Sequence, residues 1–222
     1  MLLQKVENSL NNFVQRTITS LILFGGLIAL VFYLPPIFLT TIIMVMFVLI
    51  LTFEWPTLMR TMHWRALPIT LFYLCVPIYC LISLLYASPR LLFFLICLVA
   101  LFDTSAYIAG KLAGKHKMVP SISPGKSWEG FFGGFFVILM ALIYCSCQPK
   151  NYFILFILAC SISSLAFAGD LFESWLKRKA GVKNSGTLLP GHGGILDRID
   201  GLLPVSILFF IFKNQLLSSF CL

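Results

Sequence analysis

Long apolar runs separated by short polar stretches dominate the pattern of this chain. Seven runs are each close to the ~20 residues that a helix needs to cross a ~30 Å hydrocarbon core. They are residues 17–34, 37–53, 67–86, 91–109, 130–147, 152–168 and 201–218. The pattern predicts an all-α polytopic integral membrane protein with about seven transmembrane helices. Pro77 predicts a kink in the third run, and the sixth run is expected to continue into the polar sequence beyond residue 168.

Composition supports a bilayer as the surrounding solvent. Hydrophobic residues make up 59% of the chain and charged residues 11%, with a mean hydropathy of +0.97, whereas about a quarter of an average soluble domain is charged. The net charge of +8 does not predict a nucleic-acid partner, because the basic residues lie in loops where membrane topology explains them. The seven cysteines lack metal-site spacing and are expected to be reduced. The first run is too long for a signal-peptide core and is expected to remain as an anchor.

The positions of Lys and Arg predict the orientation of the helices. In the seven-span arrangement, Arg90, Lys150 and Lys213 lie on one side and the other thirteen basic residues lie on the opposite side. Because positively charged loops stay in the cytoplasm, segments 110–129 and 169–200 are expected there. The chain is therefore expected to be a multi-pass protein of the cell inner (plasma) membrane, with a site that faces the cytoplasm between the C-terminal helices.

The polar stretch 169–201 carries an unusual share of the charge. It holds four of the eight carboxylates and five of the sixteen basic side chains: Asp170, Glu173, Asp197 and Asp200, with Lys177, Arg178, Lys179, Lys183 and Arg198. If 169–180 continues the sixth helix, then Asp170, Glu173, Ser174 and Lys177 share one face. A glycine-rich loop that contains His192 follows. The seventh helix is expected to open around Ile195, which places Asp197 and Asp200 in or near its first turn.

This arrangement indicates a divalent cation and a phosphorylated substrate. Asp170 and Asp197 come from two helix ends that the loop allows to converge, and Mg²⁺ is usually held by one or two carboxylates together with substrate phosphates. The neighbouring lysines can neutralise charge that develops on the phosphates. A single His is weak evidence for zinc, so we expect His192 to contact phosphate or backbone.

Two features upstream extend the candidate site. Asp103 lies inside the fourth apolar run, where an ionisable group costs ~3 kcal/mol or more without a partner or cavity; it shares a helix face with Tyr107 and Gly110, and a structural ion pair is the alternative. The segment SPGKSWEG (residues 123–130) is not a phosphate-binding P-loop, because Pro120 stands where that motif needs glycine. Ser123 or Ser127 is expected to cap the fifth helix, with Glu129 at its positive end. A solvated basic loop is the alternative, and Glu54 is expected to be interfacial.

These blocks together resemble one family. SWLKRKAGVKNSGTLLPGHGGILDRID (residues 174–200) is similar to the signature of the phosphatidate cytidylyltransferase (CDP-diacylglycerol synthase) family. The segments DTSAYIAG, SPGKSWEG and GDLFES resemble its other blocks, in the same order. The resemblance covers about residues 100–201, so 100–222 is interpreted as the catalytic region and 1–99 as an anchoring scaffold. Two positions depart from the pattern: Asn184 replaces an Asp, and Gly125-Lys126-Ser127 replaces a lysine pair followed by Thr.

The resemblance implies the synthesis of CDP-diacylglycerol and pyrophosphate from CTP and phosphatidic acid at the bilayer. It implies that Asp170 and Asp197 hold Mg²⁺, with a monovalent cation such as K⁺ as an optional second ion. The same resemblance makes Asp170, Asp197, Lys177 and Asp200 the catalytic set. The implied substrate-binding residues are Ser123, Lys126, Glu129, Ser174, Arg178, Lys183, His192, Arg198 and Asp103.

Three other functions compete with this interpretation. A CTP-dependent polyprenol or lipid kinase would use similar helices and the same nucleotide, but the complete PGHGG-x-x-DR-x-D block argues against it. A transporter would explain Asp103, yet the two halves of the chain show no internal repeat. The aspartate spacing of a CDP-alcohol phosphotransferase is absent. Homodimerisation is left open.

Overall fold

The computed structural model describes residues 25–61, 66–147, 151–182, 185–186 and 194–221, and these residues are mostly helical. Within these ranges five helices are long and apolar enough to cross a membrane: Pro36–Met59, Ala66–Ala87, Pro89–Ala113, Trp128–Cys145 and Tyr152–Lys179. A bent pair of shorter helices near the C-terminus would make a sixth span. The chain is therefore a multi-pass membrane protein. Of the first predicted run, residues 17–24 lie outside the described residues and residues 25–32 are helical.

The first two complete spans each contain a π-helical turn. The first consists of α1 (Pro36–Leu49), a π turn (Ile50–Glu54) and α2 (Trp55–Met59). The second consists of α3 (Ala66–Thr70), a π turn (Leu71–Cys75) and α4 (Val76–Ala87). The irregular turn of the second span ends immediately before the helix that carries Pro77 near its start, which agrees with the distortion predicted at that proline.

Helices α5 (Pro89–Ala113) and α6 (Trp128–Cys145) form the closest helix pair. The Ser88 hydroxyl caps α5 by accepting from the Leu91 N–H, and Pro89 occupies the first turn, where its missing N–H costs nothing. The two backbones approach so closely that a Cβ at Gly130 would lie 2.8 Å from the Ala106 carbonyl oxygen. Small residues at such a contact allow helices to pack tightly within a bilayer.

A short antiparallel hairpin joins α5 to α6. Strands β1 (Lys117–Val119) and β2 (Ser123–Ser127) pair with Lys117 opposite Ser127 and Val119 opposite Ser123. This hairpin is an exception to the otherwise helical prediction, because its strands are too short to produce a recognisable periodic pattern. Ser127 accepts from the Gly130 N–H and caps α6, as one of the two predicted alternatives required.

Helix α7 (Tyr152–Lys179) is continuous over 28 residues. At 1.5 Å per residue it is about 42 Å long and extends beyond a ~30 Å hydrocarbon core. The predicted extension past residue 168 is therefore confirmed. The helix ends at Lys179, and the positive φ of 73° at Gly181 lets the Val182 N–H turn back to the Lys177 carbonyl oxygen.

The last predicted run, 201–218, is not one straight helix. A 3₁₀ turn (Leu196–Arg198) precedes α8 (Leu202–Ile211), and α9 (Lys213–Phe220) bends away from α8 by 85°. The bend follows from composition, because α9 exposes Asn214 and Gln215 and buries Leu216 and Phe220. A polar face of this kind is unfavourable within hydrocarbon and favours a helix that lies across the end of the bundle.

Candidate functional site

A cavity of about 750 Å³ lies where the ends of α5 and α7, the start of α6, the hairpin and the 3₁₀ turn meet. Five acidic and five basic side chains line it: Asp103, Asp170, Glu173, Asp197 and Asp200, with Lys111, Lys117, Lys126, Lys177 and Arg198. Ser123, Ser127, Tyr107 and Gly110 also line the cavity. The cavity thus presents both signs of charge to whatever enters it.

Helix α7 contributes one face to the cavity, as its sequence spacing predicts. Lys177 lies one turn beyond Glu173, and its Nζ donates to Glu173 Oε2 at 2.6 Å. The same Nζ donates to Asp197 Oδ1 at 2.7 Å. Asp197 therefore shares a cation with the helix although it lies 20 residues further along the chain.

The second lysine of the site comes from the hairpin. Lys126 Nζ forms an ion pair with Asp170 Oδ2 and lies 4.8 Å from the centre of the Phe167 ring. Ser174 donates to the other Asp170 oxygen at 3.4 Å. The hairpin is thus connected to α7 across 44 positions of sequence, which brings the SPGKSWEG and GDLFES blocks to the same cavity.

The backbone around Asp197 differs from the predicted helix start. Asp197 lies in the 3₁₀ turn, and Asp200 lies in the turn before α8, so neither residue is inside that α-helix. The Gly194 N–H donates to Asp197 Oδ2 at 2.9 Å, and the Gly201 N–H donates to Asp200 Oδ1 at 2.8 Å. These bonds orient both carboxylates through the backbone.

The two aspartates have opposite electrostatic environments. Burial opposes ionisation of Asp197, but bonding to the Glu173 and Lys177 side chains and to the Gly194 N–H outweighs it and lowers the pKa to about 2. Burial, together with the negative charge of Asp170, raises the pKa of Asp200 to about 7. The partners of Asp197 therefore favour its ionised form, whereas the surroundings of Asp200 disfavour its ionised form.

The remaining predicted site residues lie apart from the cavity or outside the described residues. Glu129 accepts from the His116 backbone N–H at 3.1 Å and pairs with its ring nitrogen at 2.6 Å. Arg178 Nε donates to the Ile122 carbonyl oxygen at 3.2 Å. Neither residue lines the cavity. Ser174 does not line it either, but its hydroxyl donates to Asp170, which does. Lys183, His192 and Asn184 lie outside the described residues.

Sequence reasoning missed Glu54 and did not assign Glu173 to the site. Glu54 was expected to be interfacial, but it is fully buried and accepts from the Ile195 and Leu196 N–H groups at 2.6 and 2.9 Å. Glu54 directly follows the predicted run 37–53, so the argument applied to Asp103, that an acid inside an apolar run needs a partner, did not reach it; the span in the structure extends to Met59 and includes Glu54. The expectation that Glu54 is a surface or interfacial residue without a special role was therefore wrong in that its side chain is buried within the protein.

A second, apolar cavity of about 440 Å³ lies on the other side of α7. It is lined by Pro68, Ile69, Phe72, Tyr73, Ala168, Gly169, Phe172 and Pro204. The Tyr73 hydroxyl donates to the Gly169 carbonyl oxygen at 3.3 Å. Asp170 lines the polar cavity and its neighbour Gly169 lines the apolar cavity. The two cavities therefore lie against different faces of the same turn of α7.

Comparison with known proteins identifies a family and several relatives to which this chain is similar. The model of the cytidylyltransferase family matches residues 61–216. Phosphatidate cytidylyltransferase of Staphylococcus aureus (strain COL) is 41% identical over 153 residues, covering 62% of this chain and 59% of that protein. That of Staphylococcus epidermidis (strain RP62A) is 46% identical over 129 residues, covering 57% and 50%.

A third relative extends the comparison to another genus. Phosphatidate cytidylyltransferase of Haemophilus influenzae (strain Rd) is 41% identical over 137 residues, covering 57% of this chain and 48% of that protein. The chain thus spans about half to three fifths of the length of the curated relatives that it matches. The matched region contains most of the residues that line the polar cavity. From its sequence and from this match, the chain belongs to the cytidylyltransferase family.

Proposed function

We propose that this protein is a CTP:phosphatidate cytidylyltransferase. A phosphate oxygen of phosphatidic acid attacks the α-phosphorus of CTP and forms the new P–O bond. The bond between that phosphorus and the oxygen leading to the β-phosphate breaks, and pyrophosphate leaves with the electron pair. The products are CDP-diacylglycerol and pyrophosphate, with a role in phospholipid biosynthesis.

The observation that carries the proposal is the meeting of four sequence blocks at one cavity. Asp103 comes from α5, Lys126 from the hairpin and Asp170 from α7. Asp197 and Arg198 join them from the 3₁₀ turn. The relatives named above carry the activity in their names, and the residues that line this cavity lie in the region that matches their family.

The residues of the cavity suit a reaction between two phosphates. A phosphomonoester is already anionic at neutral pH, so the nucleophile does not depend on a general base. The difficulty is repulsion between two anions, which Lys126, Lys177 and Arg198 relieve by neutralising phosphate charge. Ser123 lies beside Lys126 on the hairpin as a further hydrogen-bond donor.

The residues also fit a hard divalent cation. Asp170 and Asp197 would hold Mg²⁺, and Asp200 would support them. In the described part of the chain, Glu173 Oε1 is buried without a hydrogen-bond partner and lies next to the Asp197 carboxyl. A cation at this place would relieve the repulsion between these neighbouring carboxyl groups, as would a proton shared between them. No cluster of three or more metal-ligating residues occurs among the described residues, so substrate phosphates would have to supply most of the coordination of such a metal. When bound, Mg²⁺ would neutralise phosphate charge, and K⁺ would serve as a second ion.

The finer topology belongs to the same proposal. The lysine-rich segments 110–129 and 169–200 favour a cytoplasmic site in the inner membrane, where CTP is available. The ends of α5 and α7 and the start of α6 all lie on the side of that cavity, as this orientation requires. The apolar cavity beside Gly169 suits the hydrocarbon of a lipid substrate. The predicted number of seven spans and the formation of a homodimer are further parts of this proposal.

An isotope experiment separates this function from its competitors. Purified protein in lipid nanodiscs receives either phosphatidic acid or a polyprenol, together with Mg²⁺ and CTP labelled with ³²P at either the α or the γ position. A cytidylyltransferase transfers only the α label to lipid and releases the γ label as pyrophosphate. Transfer of the γ label would identify a lipid kinase, and transfer of neither label with either lipid class would overturn the enzymatic proposal.

A further inference from the structure

Glu54 is the most deeply placed acid outside the cavity. Its exposed fraction is 0%, and it does not line the polar cavity. Three donors surround its carboxylate: the Ile195 N–H donates to Oε1, and the Leu196 N–H and the Ser185 hydroxyl both donate to Oε2. All three lie between 131 and 142 positions away along the chain. Glu54 therefore connects the first complete span to the segment that leads into the 3₁₀ turn.

The backbone conformation at Glu54 is specialised for this contact. Glu54 ends the π-helical turn Ile50–Glu54, and such turns re-aim the side chains next to them. A carboxylate inside an apolar helix bundle is strongly unfavourable unless hydrogen bonds replace its water. The N–H groups of Ile195 and Leu196 supply those hydrogen bonds. The carboxylate and the two N–H groups therefore satisfy each other's hydrogen-bonding capacity in a buried place.

Glycines allow the loop to close around this carboxylate. A Cβ at Gly186 would lie 2.8 Å from Glu54 Cγ. A Cβ at Gly194 would lie 2.8 Å from Glu54 Oε2 and would collide with the Ser185 hydroxyl. Side chains at these two positions would push Glu54 away from the Ile195 and Leu196 amides. The buried carboxylate therefore explains the two glycines without reference to any ligand.

Asp197 is the next link. Ile195 and Leu196 are held by Glu54, and the following residue, Asp197, presents one oxygen to Lys177 and the other to the Gly194 N–H. In so short a segment the direction of Asp197 depends on the placement of the two preceding amides. We propose that Glu54 is a positioning residue of the site: it fixes the backbone of residues 194–196 so that Asp197 faces the cavity and Lys177.

This inference rests on the proposed function for its catalytic readout but not for its structural one. Glu54→Gln keeps one acceptor oxygen and loses the other, whereas Glu54→Ala removes both. Thr52→Val is the matched control, because Thr52 lies in the same π turn and its hydroxyl bonds only the nearby Val48 and Leu49 carbonyl oxygens. The three variants and the wild type are compared in nanodiscs.

Hydrogen exchange provides the first measurement. In a peptide that spans residues 194–200, we expect Glu54→Ala to accelerate exchange of the Ile195 and Leu196 amides at least tenfold, with Glu54→Gln intermediate and Thr52→Val unchanged. If Glu54→Ala folds too poorly to purify, Glu54→Gln carries the test alone. Unchanged protection in a folded Glu54 variant would overturn the proposal, whether or not the protein is a cytidylyltransferase.

The Mg²⁺ dependence of activity provides the second measurement. Because Glu54 acts through a candidate cation ligand, we expect Glu54→Gln to raise the half-activating Mg²⁺ concentration at least fivefold and to lower kcat, while the KM for CTP at saturating Mg²⁺ stays within about twofold. A merely structural role would reduce the amount of folded protein and leave the Mg²⁺ response of the folded fraction unchanged, and that result would overturn the proposal. An inactive wild type would instead contradict the proposed function, with the exchange result still decisive for Glu54.

Discussion

Lys177 of α7 and Asp197 of the 3₁₀ turn are joined by a 2.7 Å ion pair, and the same ammonium group binds Glu173 at 2.6 Å. The side chains of all three are largely shielded from solvent. The Lys177 ammonium group therefore stabilises two acids from different elements. It joins the end of α7 to the 3₁₀ turn within one site.

Removal of that cation is the first prediction. Lys177→Met leaves Glu173 and Asp197 adjacent without a shared positive charge, and breaking a buried ion pair costs about 3–5 kcal/mol. We expect a clear loss of thermal stability in detergent and a fall in cytidylyl transfer of orders of magnitude. Lys179→Met is the control, because Lys179 is exposed and lies over the Trp175 ring; it should change stability by less than about 1 kcal/mol. Equal effects of both variants would contradict a special role for Lys177.

The second prediction concerns Asp170 and Asp197 as a unit. If both hold one Mg²⁺, Asp170→Asn and Asp197→Asn each cut turnover by orders of magnitude, and the double variant is little worse than either single one. Pyrophosphate release and Mg²⁺-dependent binding of CTP are the measurements. Near-normal turnover of either single variant at saturating Mg²⁺ would assign a structural role to that carboxylate.

The third prediction concerns the contact between α7 and the turn before α8. A Cβ at Gly169 would collide with the Asp200 carbonyl oxygen and lie 2.9 Å from Pro204 Cγ. Overpacking of this kind costs about 1–3 kcal/mol, so Gly169→Ala should lower the melting temperature and, by displacing Asp200, reduce activity.

Gly26→Ala is the comparison for this substitution. Gly26 is helical and has open space around its Cβ position. Because alanine favours a helix by about 1 kcal/mol over glycine, Gly26→Ala should be neutral or slightly stabilising. Destabilisation by both alanines to the same extent would show that helix context, and not the collision with Asp200, determines the result.

The fourth prediction is the orientation in the membrane. Lys115 is exposed beside the hairpin, and Tyr152 is exposed at the opposite end of the bundle. On a cysteine-free background in intact cells, Tyr152→Cys should react with an impermeant thiol reagent and Lys115→Cys should react only after lysis. The reverse pattern would contradict the cytoplasmic site. Ser185 is unsuitable as a probe position because it is buried against Glu54.

Helical periodicity predicted the α7 part of the site. The spacing of Asp170, Glu173 and Lys177 places them on one face of any regular helix, and an uninterrupted apolar run ensured that the helix would form. The same reasoning placed Asp103 and Tyr107 together on α5, and both line the cavity. Local spacing was sufficient because each set lies within one element.

Contacts between distant elements could not be predicted in this way. The bonds from Ile195 and Leu196 to Glu54 join segments more than 140 positions apart, and no local pattern specifies them. The hairpin escaped prediction because its strands have three and five residues. The 85° bend was missed because hydropathy averaged over residues 201–218 conceals the polar start of α9.

The matched number of acids and bases around the cavity has a thermodynamic consequence. A cation that arrives alone must compete with Lys126 and Lys177 for their carboxylates, and a nucleotide that arrives alone meets those carboxylates directly. When both arrive, each lysine can exchange a carboxylate for a phosphate oxygen while the cation takes its former partner. If Mg²⁺ and CTP bind here as proposed, their affinities are reciprocally linked: the factor by which Mg²⁺ tightens CTP binding then equals the factor by which CTP tightens Mg²⁺ binding.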